Sequence, residues 1–170
     1  MSVNSSKCNF GWKAENFKLN SINGNFYSLN ELKGAKGTLI AFICNHCPYV
    51  IAIADRLSYE ANELNKIGVN IIAIMSNDVK SYPEDSFENM IKFAKLHKFN
   101  FQYLYDEDQS IAKKYKAICT PDFFGFNNLL ELQYRGRIDS GIMNNDLKNI
   151  KKDLFESMKL ISETGKGPKI

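Results

Sequence analysis

The stretch TLIAFICNHCPYVIAIADRL, residues 38–57, decides the fold. It opens with a continuous apolar run over 38–43, rich in aliphatic residues, which suits a strand buried on both faces. After Cys47 the period changes. Val50, Ile51, Ala54, Leu57, Ala61 and Leu64 recur at three- and four-residue intervals. This predicts a helix with one apolar stripe from about residue 47 to 66, ended by Gly68. Cys44 and Cys47 therefore lie where a buried strand gives way to a helix.

The flanking chain extends this pattern. FKLNSINGNFYSL alternates around Asn23-Gly24, a hairpin signal. VNIIAIM (69–75) reads as a second buried strand and FQYLY (101–105) as a short one. PEDSFENMIKFAKLH (83–97) reads as a helix opened by Pro83 and acids and closed by lysines. DEDQSIAKKYK (106–116) reads as a short helix opened by acids. DFFGF and LLELQYRG flank Asn127-Asn128 as an antiparallel hairpin, and NNDLKNIKKDLFESMKLI (144–161) closes the pattern as an amphipathic helix. The order βαβαβαββα predicts a central mixed sheet with helices on both faces.

At 170 residues the chain fits one domain over 1–170, with 1–10 expected to be mobile and 162–170 a C-terminal tail. A hydrophobic content of 44% and a net charge of +3, with no block of five like charges, argue against disorder, a nucleic-acid footprint and a polybasic membrane patch. The N-terminus shows no apolar stretch of signal-peptide length, and no apolar run reaches membrane-spanning length. A cytoplasmic location is expected. In a reducing compartment a close cysteine pair points to catalysis or metal binding, not to a disulfide scaffold.

At a helix start, unpaired backbone N–H groups and the positive end of the dipole favour a thiolate, here expected at Cys44. The two-residue spacing brings both sulfurs within disulfide reach. Cys44 is then the exposed nucleophile and Cys47 the more buried resolving thiol. His46 is expected to help stabilise the Cys44 thiolate and lower its pKa. Three other readings compete. Zinc would need two ligand clusters, whereas Cys8 and Cys119 are singletons. Copper held by both thiols and His46 is the second, and two inert buried thiols the third.

The strand–CxxC–helix unit, followed by SIAKKYKAICTPDFF, resembles the thioredoxin superfamily. The resemblance implies a cis-proline at Pro121 beside the dithiol, with Thr120 and Pro121 shaping a substrate groove. Pro121 lies far beyond Cys47 for a plain thioredoxin. The intervening helix at 83–97 and strand at 101–105 resemble the helix–strand insertion of peroxiredoxins. Together with CNHCPYV, YPEDSFENM, YLYDE, CTPDFF and YRGRID, they are similar to a peroxiredoxin-like subgroup of the alkyl hydroperoxide reductase/thiol-specific antioxidant (AhpC/TSA) group, over roughly residues 10–140. The implied fold is thioredoxin-like α/β, with an N-terminal β-hairpin and that insertion.

Departures from the family patterns shape the functional expectation. The hydroxyl that peroxiredoxins carry three residues before their reactive cysteine is replaced by Cys44 in one register and Ala41 in the other. The tryptophan and buried acid of thioredoxins are replaced by Ile43 and Thr38. Cys119, two residues before Pro121, reads equally as a third redox cysteine or a small packed residue. Cys8 reads as incidental, His97 as exposed, Arg135 and Arg137 as a solvated strand end, and DFFGF as sheet core.

The function expected from these residues is thiol–disulfide exchange in redox homeostasis, needing no cofactor or metal. Protein or small-molecule disulfides would be the substrates, and a thioredoxin- or glutathione-type thiol the electron donor. Neither nucleic acid nor membrane is an expected partner. A thiol peroxidase is the first alternative and a copper-binding chaperone the second.

Overall fold

A computed structural model describes residues 9–141, 143 and 149–168 of the chain. The hairpin forms as read: β1 (Lys18–Ser21) and β2 (Phe26–Ser28) pair antiparallel, with Gly24 at positive φ in the turn. A short helix that the pattern did not signal, α1 (Leu29–Leu32), follows at once. Ser28 and Glu31 cap it reciprocally.

The central unit is β3 (Gly37–Phe42), α2 (Pro48–Lys66) and β4 (Val69–Met75), with β3 and β4 parallel and Leu39 opposite Ile71. Then come α3 (Phe87–Leu96), β5 (Gln102–Tyr105), α4 (Ser110–Tyr115), β6 (Asp122–Asn127), β7 (Leu132–Gly136) and α5 (Asp153–Thr164). The seven strands run β2-β1-β5-β4-β3-β6-β7. The β3–β4 and β4–β5 pairs are parallel and the others antiparallel, giving the mixed sheet expected.

Alternation along β3 assigns the two faces. Leu39, Ala41 and Ile43 pack with residues of α2, α3 and α5, including Leu57, Phe93 and Met158. Ile40 and Phe42 pack on the other face with Leu29 of α1 and Ile111 and Tyr115 of α4. Each face is therefore covered by helices, and the site at the end of β3 rests on a filled core. Phe123, Phe124 and Phe126 are buried, as read for DFFGF. Among the described residues no helix is long and apolar enough to cross a membrane.

Several boundaries move, each for a local reason. Ile51 falls outside the buried stripe of α2 and is exposed, while Ile53 takes its place. The helix expected from residue 83 splits into a 3-10 turn at Pro83–Asp85 and α3, because the Ser86 side chain caps Asn89 N–H. The helix expected from 106 begins at Ser110, because the buried Asp106 carboxylate accepts from Ile111 and Ala112 N–H. The closing helix begins at Asp153 instead of 144 and extends to Thr164, into the segment read as tail. Residues 144–148 of that expected helix, and Cys8, lie outside the described residues.

Candidate active site

Cys44 lies in the turn after β3, and Cys47 is the N-cap of α2, with Pro48 at its first position. The positive end of the helix thus falls at Cys47, one turn beyond Cys44. The exposure order is the reverse of the expectation. Cys44 is 1% exposed, packed among Ile43, Val50 and their neighbours, whereas Cys47 is only partly buried, packed against the edge of that cluster. The expected lowered pKa of Cys44 is also reversed. Burial pushes its thiol above the ordinary range; the Thr120 hydroxyl and Cys47 N–H act against this, and the charge of Asp85 adds to it.

Thr120 meets both sulfurs. Its Oγ1 lies 3.2 Å from Cys44 Sγ, and its carbonyl accepts from Cys47 Sγ at 3.3 Å. The Thr120–Pro121 bond is cis, as the resemblance implied. A cleft of about 370 Å³ runs beside it, lined by Ser76, Asn77, Gln109, Lys113, Cys119 and Thr120. Cys119 is exposed, not packed, and lies close enough to Cys47 for that thiolate's charge to raise its pKa; burial and Asp122 raise it more.

The connecting dipeptide of the motif is held by a residue read from sequence as one of the acids opening the helix at 83–97. Asp85 is completely buried, and its Oδ1 accepts from Asn45 N–H at 2.7 Å and His46 N–H at 3.3 Å. Its Oδ2 accepts from Asn77 Nδ2 and lies against His46 Nδ1, each at 2.7 Å. Tyr103 donates to Asn45 Oδ1 from β5, and the His46 ring stacks on Tyr82 at 4.8 Å. Asp85, Asn77, Tyr82 and Tyr103 were all missed. Ser86, a good N-cap directly before the apolar-periodic run, was the available sign that Asp85 lies outside α3. Cys44 Sγ, a ring nitrogen of His46 and an oxygen of Asp85 lie within 4.8 Å of one another. Four donors already engage the Asp85 oxygens, so this carboxylate anchors the loop.

Two side chains read as exposed are not. His97 is 11% exposed at its side chain, pairs with Asp55 at 2.8 Å and packs on Phe93. Arg135 is 5% exposed and pairs with Asp122, whereas Arg137 is open to solvent and pairs with Asp153.

A buried strand, a CxxC turn capping a helix, and Thr120 of a cis Thr–Pro bond against both thiols make a thioredoxin-like arrangement. The family model described as the AhpC/TSA family matches residues 10–139, nearly the span expected from the motifs. The chain belongs to the AhpC/TSA family. An uncharacterized conserved protein from Geobacillus kaustophilus is similar at 40% identity, with a TM-score of 0.88 over 95% of this chain and 86% of that one. A hypothetical protein from Sinorhizobium meliloti is similar at 34% identity, with a TM-score of 0.88 over 95% and 88%. A secreted Mycobacterium tuberculosis disulfide oxidoreductase shares the fold at 21% identity, with a TM-score of 0.59 over 69% of this chain and 80% of that one. A search of curated proteins gave no match. As an AhpC/TSA protein with thioredoxin-like neighbours, the chain falls among redox proteins.

Proposed function

We propose that this AhpC/TSA protein is a thiol–disulfide oxidoreductase in which Cys47 attacks the substrate and Cys44 resolves the mixed disulfide. The observation that carries the reading is the burial of the pair: Cys47 is only partly buried, whereas Cys44 is sealed in the core. The N-cap position of Cys47 supports its role, because the helix end favours developing negative charge. In the first step the Cys47 thiolate displaces one sulfur of the substrate disulfide as a thiolate and binds the other. Cys44, as thiolate, then attacks Cys47, forming the 44–47 disulfide and releasing the second substrate thiolate. A thiol donor would return the pair to the dithiol. The half-buried backbone at Thr120, which lines the cleft, would align an extended disulfide-bearing segment.

Trapping tests this reading. Cys44→Ser should accumulate a stable mixed disulfide at Cys47 with a disulfide-bearing peptide, whereas Cys47→Ser should not. Wild type should catalyse insulin reduction by dithiothreitol. Equal trapping by Cys47→Ser would return the attacking role to Cys44, and no trapping by either would remove the activity.

Peroxide reduction is the second reading. The hydroxyl missing from the sequence register is met instead by Thr120 Oγ1 beside Cys44. Hydrogen peroxide consumption faster than disulfide exchange would put this reading first.

A further inference from the structure

The hydrogen bonds at Asp85 fix the state of His46. Backbone N–H and amide NH₂ groups can only donate, so three of the four contacts require Asp85 to accept. In the fourth, the 2.7 Å contact with Oδ2, His46 Nδ1 therefore carries the hydrogen. A neutral His46 is then left with its lone pair on Nε2. The ring is held flat against Tyr82, at an interplanar angle of 8°, and its side chain is 32% exposed. The pair thus joins a fully buried carboxylate to solvent.

Cys44 needs such a route. Its thiol must lose a proton before it can attack, and it is closed off from bulk solvent, touching Thr120 Oγ1 and the N–H of Cys47. A ring nitrogen of His46 and an oxygen of Asp85 lie within 4.8 Å of its sulfur, a distance that one water molecule spans.

We propose that His46, oriented by Asp85, accepts the Cys44 proton in the step that resolves the mixed disulfide. The inference rests on the reading above, with the substrate sulfur held on Cys47. The S–H bond of Cys44 breaks and its proton passes to His46 Nε2 through bridging water. The electron pair left on Cys44 attacks Cys47 Sγ, and the Cys44–Cys47 bond forms. The substrate sulfur leaves as a thiolate with the electrons of the broken bond. The imidazolium, held against the Asp85 carboxylate, then returns the proton to the leaving thiolate or to water. Asp85 is a positioning residue in this scheme.

The test is the rate at which a Cys47 adduct converts to the 44–47 disulfide. It is measured in single turnover with substoichiometric 5,5′-dithiobis(2-nitrobenzoate), acid-quenched and peptide-mapped by mass spectrometry. Asp85→Asn should slow conversion at pH 7 on the order of 100-fold, the lower end of general-base effects. His46→Ala should slow it similarly and recover with added imidazole, which a purely structural role would not allow. The opposite sign is informative. Asp85 raises the Cys44 pKa, so as a mere electrostatic neighbour its neutralisation would release thiolate and speed the step. Unchanged or faster conversion in Asp85→Asn, or no imidazole recovery in His46→Ala, overturns the proposal and leaves the exchange reading intact. Should Asp85→Asn fail to fold, the imidazole result decides. If no Cys47 adduct forms even in Cys44→Ser, the exchange reading falls, and the proposal with it.

Discussion

Asp122 and Arg135 close a buried ion pair directly behind the Thr120–Pro121 bond. Nη2 and Oδ2 lie 2.8 Å apart, with both side chains less than a tenth exposed. The same guanidinium donates to the Lys116 carbonyl at the end of α4 and lies 4.3 Å over Phe124. Asp122 also accepts from Ile118 N–H. One pair therefore ties the loop carrying Cys119 and Thr120 to the sheet.

Asp122→Ala should cost about 3–5 kcal/mol in urea unfolding, because Arg135 stays buried without its counter-charge. Replacing both residues by apolar ones of similar volume should cost much less. Equal costs would mean that the pair contributes by packing alone.

Glu60 makes stability fall with pH. It is 3% exposed, its Oε2 has no partner among the described residues, and burial pushes its pKa up to about 7. From the unfolded value of about 4.3 up to about 7, the native carboxyl keeps a proton that the unfolded chain has released. Stability must therefore drop as pH rises through this window, by about 4 kcal/mol in all. Glu60→Gln should match wild type near pH 4 and exceed it near pH 8. Parallel denaturation curves for the two proteins at both pH values would refute this.

Thr120→Val removes the hydroxyl that moderates the Cys44 pKa. The thiol should rise further, followed through the Cβ chemical shift of labelled Cys44 in a Cys47→Ser background. A downward shift would show that another donor dominates.

Tyr103→Phe leaves Asn45 Oδ1 without its donor in a buried setting. The expected loss is about 1–3 kcal/mol in unfolding, the cost of one unsatisfied buried acceptor. Exchange activity should fall as well, because Asn45 sits between the two cysteines. Wild-type stability would mean that water replaces the phenol.

The sheet and its two covered faces were legible because β3 and α2 carry strong local periods and the hairpin turns carry their own signatures. Helix starts were less legible. At 83–86 and 106–110 the acids that suggested a first helical turn instead fold inward, Asp85 onto the CxxC loop and Asp106 onto the amides of α4. Sequence places such residues next to their neighbours in the chain, whereas their partners come from across the fold. The same limit reversed the reading of the thiols. The order of Cys44 and Cys47 in the chain does not tell which one the core covers; that depends on where α2 begins.

The partners of the dithiol are scattered along the chain. Asp85 follows Asn45 by 40 residues, Tyr103 follows it by 58, and Thr120 comes 76 residues after Cys44. At ribosomal speeds of roughly 5–20 residues per second, the last of these emerges about 4–15 s after the cysteine it touches. A nascent chain therefore carries two thiols for seconds with neither the carboxylate clamp nor the threonine in place. They meet the cell's oxidants first as ordinary unshielded thiols and acquire their distinct roles only when these distant partners fold around them.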